Sequence, residues 1–156
     1  MRIGLSFDMK QPGPPSPEGV PDDLYEEYDP PSTVASIEEA IAASGHEVVR
    51  LGGGREFLER VLREKVDFVF NIAEGRGTYR SREGQVPSVL EMLGIPYSFS
   101  DPLTLSISLD KPLTKRLVAA SGVKVAPDWV VRGREDLERV AALSGLPSPL
   151  FAEPAF

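Results

Sequence analysis

The sequence of 156 residues has no cysteine and a single histidine, His46. The lack of cysteine excludes a disulfide framework, a thiolate metal site and a cysteine nucleophile. One histidine cannot supply a multi-histidine metal site, and His46 stands just before an apolar segment rather than among catalytic partners. We interpret His46 as structural or solvated, and we identify neither metal ligands nor catalytic residues in the sequence.

Long apolar runs and an excess of positive charge are also missing. No run of about 18 apolar residues occurs, and the opening MRIGLSFDMK turns polar where a signal peptide needs its apolar stretch. The formal net charge of −7 disfavours attraction to a nucleic-acid backbone. From these absences we expect a cytoplasmic protein with neither membrane nor nucleic acid as a partner.

The residues that are present favour a folded α/β domain. Three short apolar runs, at residues 2–7, 46–51 and 66–71, do not alternate cleanly, which is typical of parallel strands covered on both faces. Helical patterns separate them, one capped by Ser32 and ending at Gly45, the other at residues 55–64. The order predicts an open, mostly parallel sheet with helices on both faces and ligands at the carboxyl ends of its strands.

The same alternation continues and then restarts. A helix at residues 85–93 and a strand at 95–98 complete the first pattern, so we place an N-terminal α/β domain at residues 1–122. Residues 123–156 look like the start of a second domain, with a strand in VKVAPDWVV, a helix at 134–143 and an apolar run at 150–152. This second piece is too short to bury its own apolar faces.

A long loop interrupts the first domain. Residues 8–31 contain seven prolines and the acidic stretch YEEYD. A loop of this length favours either a function or mobility over compact folding. A flexible, solvated insertion is the alternative, and the sequence does not decide between the two.

Two segments are candidates for chemistry. In NIAEGRGTYRSREG, after the third predicted strand, three glycines allow a close approach of backbone to a ligand, and Glu74 and Glu83 offer carboxylates. The segment matches neither the P-loop nor the dinucleotide fingerprint, and spacing alone favours a plain mobile turn over a site. In SLDKPLTKR, Lys111 and Lys115 share a helix face and suit either phosphate or solvent.

The order of several motifs resembles one family. The segments VDFVFNIAEG, REGQVPSVLEMLGIPYS and SDPLTLSISLDKPLTKRLV follow one another as in D-alanine–D-alanine ligases of the ATP-grasp superfamily. The resemblance implies a Rossmann-like pre-ATP-grasp domain followed by the start of an ATP-grasp domain. It also implies a ligase that activates a carboxylate with ATP and magnesium and joins it to an amine.

The resemblance also assigns roles to residues. It implies that the glycine turn and its acids help form a pocket for an amino-acid-like substrate, and that Lys111 contacts nucleotide phosphate. Phe99 stands where the family usually has glycine. The family's second phosphate lysine, in a motif like VKPA, corresponds to Glu153, so its charge is reversed. The implied substrate-binding residues are Glu74, Gly75, Glu83 and Ser100.

The family's glycine and serine loop, transition-state arginine and magnesium ligands would follow residue 156. We therefore expect a truncated relative that is inactive by itself and that binds ATP at a Kd of about millimolar or weaker, partly because of Glu153. The alternative is a non-catalytic binding or interaction module. We also expect a homo-oligomer, or association with a separate C-terminal half, through an exposed apolar patch. The patch would comprise Trp129, Val130, Leu150, Phe151 and Phe156.

Overall fold

The structure, a computed structural model, describes residues 1–10, 27–143 and 149–155. The chain divides into two compact units, of which the first is Met1–Ser106 and the second begins at Ile107. The boundary expected at residues 122 and 123 concerns the domains of the family and stays a prediction. Within the described ranges, no helix is both long and apolar enough to cross a membrane.

A parallel sheet forms the centre of the first unit. Its strands are β1 (Arg2–Ser6), β2 (Glu47–Gly52) and β3 (Phe68–Asn71), in the spatial order β2-β1-β3. Every pairing is parallel, because a helix crosses over between consecutive strands. The predicted open parallel α/β sheet is therefore confirmed.

The described residues form six α-helices in the two units. They are α1 (Pro31–Ala43), α2 (Gly54–Arg63), α3 (Gln85–Leu93), α4 (Pro102–Leu109), α5 (Lys111–Ala120) and α6 (Arg134–Ala141). The bounds of α3 are those predicted. The predicted cap of α1 is wrong, because Pro30 holds that position and Ser32 lies inside the first turn. A proline at the first helical position loses no hydrogen bond and already has helical φ, so the helix starts earlier than Ser32.

The apolar residues of the first unit form a core on each face of the sheet. On one face, Leu51 and Val69 lie with Phe57 and Val61 of α2 and Leu90 of α3. On the other face, α1 covers the sheet, with its Val34 packed beside Leu5 and Phe7. Successive side chains of a strand point to opposite faces, so a run without polar alternation requires cover on both. Helices on both faces are confirmed.

The predicted strand at residues 95–98 is reduced to a single bridge between Val69 and Tyr97. The Val69 amide donates to the Pro96 carbonyl, and the Ser98 amide donates to the Val69 carbonyl, both at 2.9 Å. Pro96 has no N–H to extend the ladder, and Phe99 leaves the extended region with φ of 70°. The segment therefore follows β3 for only one pairing.

The second unit contains α5, α6 and irregular backbone. The strand expected in residues 123–131 does not form in the described chain, because a strand needs a neighbour to share its hydrogen bonds. The predicted helix at 134–143 is present but ends at Ala141. Of the expected apolar patch, Trp129, Val130, Leu150 and Phe151 are exposed, whereas Phe156 lies outside the described residues.

Candidate functional site

A cavity of about 360 Å³ lies in the first unit, beyond the carboxyl end of β3. Two residues of the predicted set, Glu74 and Glu83, line it together with Asp29. Parallel strands gather their carboxyl ends at one edge, where loops are free to surround a ligand. The remaining lining residues are Ile37, Asn71, Ile72, Ala73, Phe99 and Leu105.

The cavity concentrates negative charge. Burial and the nearby carboxylates of Glu83, Glu27 and Asp29 raise the pKa of Glu74 to about 7, although Arg82 opposes the shift. Burial and the Asp8 carboxylate likewise raise the pKa of Asp29. Both shifts have the same physical origin, since a desolvated carboxylate among like charges retains its proton more readily. The site is therefore suited to a positively charged group.

Arg82 is a cation that acts on these cavity acids, because it lowers the pKa of Glu74. It is buried, and its guanidinium pairs with the Glu27 carboxylate. Its backbone amide donates to the Tyr79 carbonyl at 3.1 Å, which closes the turn before the 3₁₀ segment Arg82–Gly84. Since Arg82 lowers the pKa of Glu74 while three acids raise it, the balance of the cavity stays acidic.

Asp8, which the sequence analysis did not select, holds the glycine loop in place. Its carboxylate is 1% exposed, and its Oδ2 accepts a hydrogen bond from the Gly75 amide at 2.9 Å. Its Oδ1 lies 3.0 Å from Arg76 Nη2 as an ion pair, in a geometry that makes no hydrogen bond. Asp8 is the first acid after β1, at the same edge of the sheet, and that position was the available signal.

Gly75 is required by both conformation and space. Its φ is +83°, a region that L-residues with a side chain rarely occupy. A Cβ on this residue would stand 2.1 Å from the Arg82 carbonyl oxygen. Gly75 therefore shapes the loop that carries Glu74. Gly75 itself is not among the residues that line the cavity, and it lies against Asp8 and Arg82.

The loop is also fastened to the start of α3. The Gln85 side chain accepts from the Arg76 amide and donates to the Arg76 carbonyl, each at 3.0 Å. This pair of bonds imitates a strand pairing with a side-chain amide. Together with the Asp8 contact, it fixes two adjacent residues of the loop, Gly75 and Arg76.

The described ends of the long acidic loop meet beside the cavity. The Asp29 amide donates to the Asp8 carbonyl at 2.9 Å, and the Lys10 amide donates to the Asp29 carbonyl at 2.8 Å. These bonds bring the Asp29 side chain into the cavity lining. Residues 11–26, which include most of the predicted proline-rich loop, lie outside the described residues.

Phe99 forms an aromatic part of the cavity wall. Its ring makes an edge contact with Phe70, with 5.3 Å between the ring centroids. Just before it, Ser98 Oγ accepts a hydrogen bond from the Asn71 amide at 2.9 Å. Ser100, the predicted substrate residue next to Phe99, is half-buried and outside the lining given above.

Lys111, the predicted nucleotide residue, begins α5 in the second unit. Its Nζ donates to the Pro154 carbonyl at 2.9 Å, and its backbone amide donates to the Ala155 carbonyl at 3.0 Å. Asp110 caps the helix by accepting from the Leu113 amide at 3.0 Å. Glu153, next to Pro154, is exposed. An ammonium at a helix start suits a phosphate oxygen, although a carboxylate already occupies the cap.

The implied magnesium finds no matching ligand set in the described part of the chain. No three acidic or histidine side chains there are arranged to hold a metal ion. Magnesium requires oxygen ligands in near-octahedral geometry, and the cavity acids are instead spaced around an open volume.

No family model matches the chain, but curated proteins and solved structures do. A D-alanine–D-alanine ligase of Pseudomonas entomophila is 35% identical over 121 residues, which are 78% of this chain and 36% of the relative. The ligase of Aquifex aeolicus is 37% identical over 97 residues, 62% of this chain and 32% of the relative. The chain thus spans about a third of the length of these curated relatives.

Solved structures show the same fold. D-alanine–D-alanine ligase from Bacillus anthracis matches 92% of this chain and 43% of its own with a TM-score of 0.59 at 23% identity. The same ligase complexed with ATP matches 90% of this chain and 44% of its own with a TM-score of 0.58 at 24% identity. We conclude that this chain is similar, in sequence and in fold, to the N-terminal region of D-alanine–D-alanine ligases.

Proposed function

We propose that the first unit of this chain binds an amino-acid-like substrate for ATP-dependent ligation of a carboxylate to an amine. The observation that carries the proposal is the convergence of Glu74, Glu83 and Asp29 on one cavity at the carboxyl edge of the sheet. The curated relatives bear the name of a ligase that joins two amino acids, which supports this class of substrate.

The chemistry of the cavity favours the ammonium group of such a substrate. An ammonium has three donors and a positive charge, and the acids supply acceptors and the opposite charge. Ile37, Ala73 and Leu105 provide apolar surface for the rest of the molecule. Because the pKa of Glu74 is about 7, this group is partly protonated at neutral pH, and a bound cation favours its ionised form. Substrate binding should therefore release a proton.

Nucleotide binding by Lys111 is the second part of the proposal. Its support is the position of the ammonium at the first residue of α5 and the fold shared with a ligase that is complexed with ATP. The contact with the Pro154 carbonyl competes with phosphate for the same ammonium. We propose a weak nucleotide contact in this chain and no independent ligase activity.

An interaction module remains the alternative function. The exposed apolar side chains of the second unit, Trp129, Val130, Leu150 and Phe151, support association with a second copy or with a separate chain. Analytical ultracentrifugation over a concentration series tests this reading. A monomer at every concentration would remove homo-association from consideration.

The substrate proposal is tested by titration calorimetry with D-alanine on the parent chain and on Glu74→Gln and Glu83→Gln. Each substitution removes a charged acceptor, which should weaken binding about tenfold or more. Glu39→Gln, at an exposed position of α1, makes the same charge change outside the cavity lining and should leave the affinity within about twofold.

Buffers of different ionisation enthalpy add a second readout. At pH 6 the parent should release close to one proton on binding, and Glu74→Gln should release almost none. Affinity should rise between pH 6 and pH 8 as Glu74 ionises. Binding that is insensitive to both cavity substitutions would contradict the proposal.

A further inference from the structure

Phe99 combines a strained backbone with an exposed ring. It is the only residue other than glycine with positive φ in the described chain, at 70°. For a bulky side chain this conformation is unfavourable, and it persists only where the surroundings impose it. The residue is 70% exposed, so burial does not account for the strain. Packing in the core therefore does not explain why a large apolar side chain is held in this backbone conformation.

The surroundings that impose the conformation are two anchors, one on each side. Before Phe99, Ser98 is bonded to β3 through the Asn71 amide and the Val69 carbonyl. After it, the Asp101 carboxylate caps α4 by accepting from the amides of Leu103 and Thr104 at 3.0 and 3.1 Å. Phe99 and Ser100 must connect these fixed points, which directs the aromatic ring toward the cavity.

The lining of the cavity combines two kinds of surface. Glu74, Glu83 and Asp29 supply carboxylates, and Phe99, Ile37 and Leu105 supply apolar surface. At about 360 Å³ it lies in the range of pockets that hold drug-sized ligands, from about 300 Å³ upward. An ammonium compound as small as ethylamine would leave the aromatic surface without a partner.

We propose that Phe99 is a specificity-determining residue that packs against the apolar body of the bound amine and selects a large, preferably aromatic, body over a small one. The inference rests on the proposed function, because it assumes that the acidic cavity receives an ammonium group. The edge contact with Phe70 holds the ring, and its exposed side remains for an aromatic ligand in an offset or edge-to-face arrangement.

Two simple amines separate the contribution of the ammonium group to affinity from that of the apolar body of the ligand. Ethylamine carries the ammonium alone, and 2-phenylethylamine adds an aromatic ring to it. Burial of such a ring is worth a factor of about ten or more in affinity, so the parent should bind 2-phenylethylamine at least about tenfold more tightly than ethylamine. Titration calorimetry at pH 8 measures both dissociation constants.

Phe99→Gly should reduce this preference to about threefold or less while leaving the affinity for ethylamine nearly unchanged. Phe99→Leu retains an apolar side chain without a ring and should give an intermediate ratio, which guards against an effect of backbone change in the glycine variant. Phe151→Ala, at a side chain that is 97% exposed in the second unit, is the control and should keep the parent ratio. Thermal melts establish that every variant is folded.

The outcomes distinguish this inference from the proposal on which it rests. An unchanged ratio in Phe99→Gly and Phe99→Leu, or a parent without preference, overturns the role of Phe99 and leaves the acidic cavity proposal standing. An equal loss for both amines in Phe99→Gly shows a contact with the cation rather than with the body, which also overturns it. Failure of both amines to bind the parent overturns the two proposals together.

Discussion

The two units of this chain differ in how their candidate residues are supported. Of the twelve buried apolar residues in the described chain, all except Leu109 belong to the first unit. There the glycine loop is hydrogen-bonded to a buried carboxylate, Asp8, and to the side chain of Gln85 at the start of a packed helix. In the second unit, the Lys111 ammonium meets a carbonyl of the exposed segment 151–154.

The difference indicates that a buried anchor, more than the identity of the candidate residue, fixes the position of that residue. Glu74 acquires a raised pKa because its loop is held against a desolvated group of acids. Lys111 is held through solvent-accessible neighbours, where interactions contribute about 0–1 kcal/mol. Substitutions in the loop should therefore have larger effects than substitutions around Lys111.

Gly75→Ala should have the largest effect. Positive φ costs an alanine about 1–2 kcal/mol, and the clash of its Cβ with the Arg82 carbonyl adds to this, so we expect a loss of about 2–4 kcal/mol. Gly45→Ala is the matched control, because Gly45 has the same φ of +83° and open space around its Cβ position. It should lose only the about 1–2 kcal/mol that positive φ costs. Urea denaturation measures both, and equal losses would contradict the close approach.

Glu74→Gln should show a pH-dependent gain in stability. Because the folded pKa of Glu74, about 7, is above its ordinary value of 4.5, folding favours the protonated form. The stability from this group is present below pH 4.5 and is lost as pH rises through 7. With solvent screening, Glu74→Gln should be more stable than the parent by on the order of 1–2 kcal/mol at pH 8. This difference in stability should disappear toward pH 5.

Denaturation at a series of pH values measures the stability difference between Glu74→Gln and the parent. Glu83→Gln provides the companion measurement, since it removes the carboxylate that raises the pKa of Glu74 most after burial. It should move the transition to lower pH. A stability difference between parent and Glu74→Gln that is constant from pH 5 to pH 8 would show that Glu74 does not titrate in this range.

Substitutions of Phe99 should change the stability by a smaller amount, and glycine should be more favourable than alanine there. At φ of 70° an alanine is strained and a glycine is not, so Phe99→Gly should be more stable than Phe99→Ala by about 1 kcal/mol. At Met92, an exposed position of α3, the order should be the reverse, with glycine about 1 kcal/mol less stable than alanine. Thermal denaturation of the four variants decides the point. The same order at both positions would argue against strain at Phe99.

Glu153→Lys should have the smallest effect. The side chain is exposed, so reversing its charge should strengthen ATP binding by less than about tenfold. Titration calorimetry with ATP at low salt measures the change, and 0.5 M salt should reduce it. Lys111→Met is the comparison, because it removes the proposed phosphate contact itself. Micromolar binding by the parent would contradict the weak nucleotide contact.

The parts of the fold that were predictable have strong local signals. The apolar runs of β1, β2 and β3 and the amphipathic pattern of α2 each report burial directly in the order of residues. Glu74 and Glu83 were predictable as cavity candidates because they follow a strand, and open parallel sheets generally bind ligands at the carboxyl ends of their strands.

Other features depend on residues that are distant in the sequence. A strand was predicted in residues 123–131 from β-branched and apolar residues, but strand formation depends on a neighbouring strand, which the described unit lacks. The positive φ of Phe99 arises from anchors at Ser98 and Asp101 and contradicts the preference of phenylalanine itself. No local pattern reports such a constraint.

The sequence by itself determined the parallel α/β arrangement and the presence of two acids beside a glycine turn, because hydrophobic periodicity and residue chemistry are properties of neighbouring residues. Only the tertiary structure decided that Asp8 anchors this turn across 67 positions of chain, that Asp29 joins its acids, and that Phe99 lines the same cavity. Desolvation and like-charge proximity arise when distant segments meet, and so the raised pKa of Glu74 belongs to the folded protein alone.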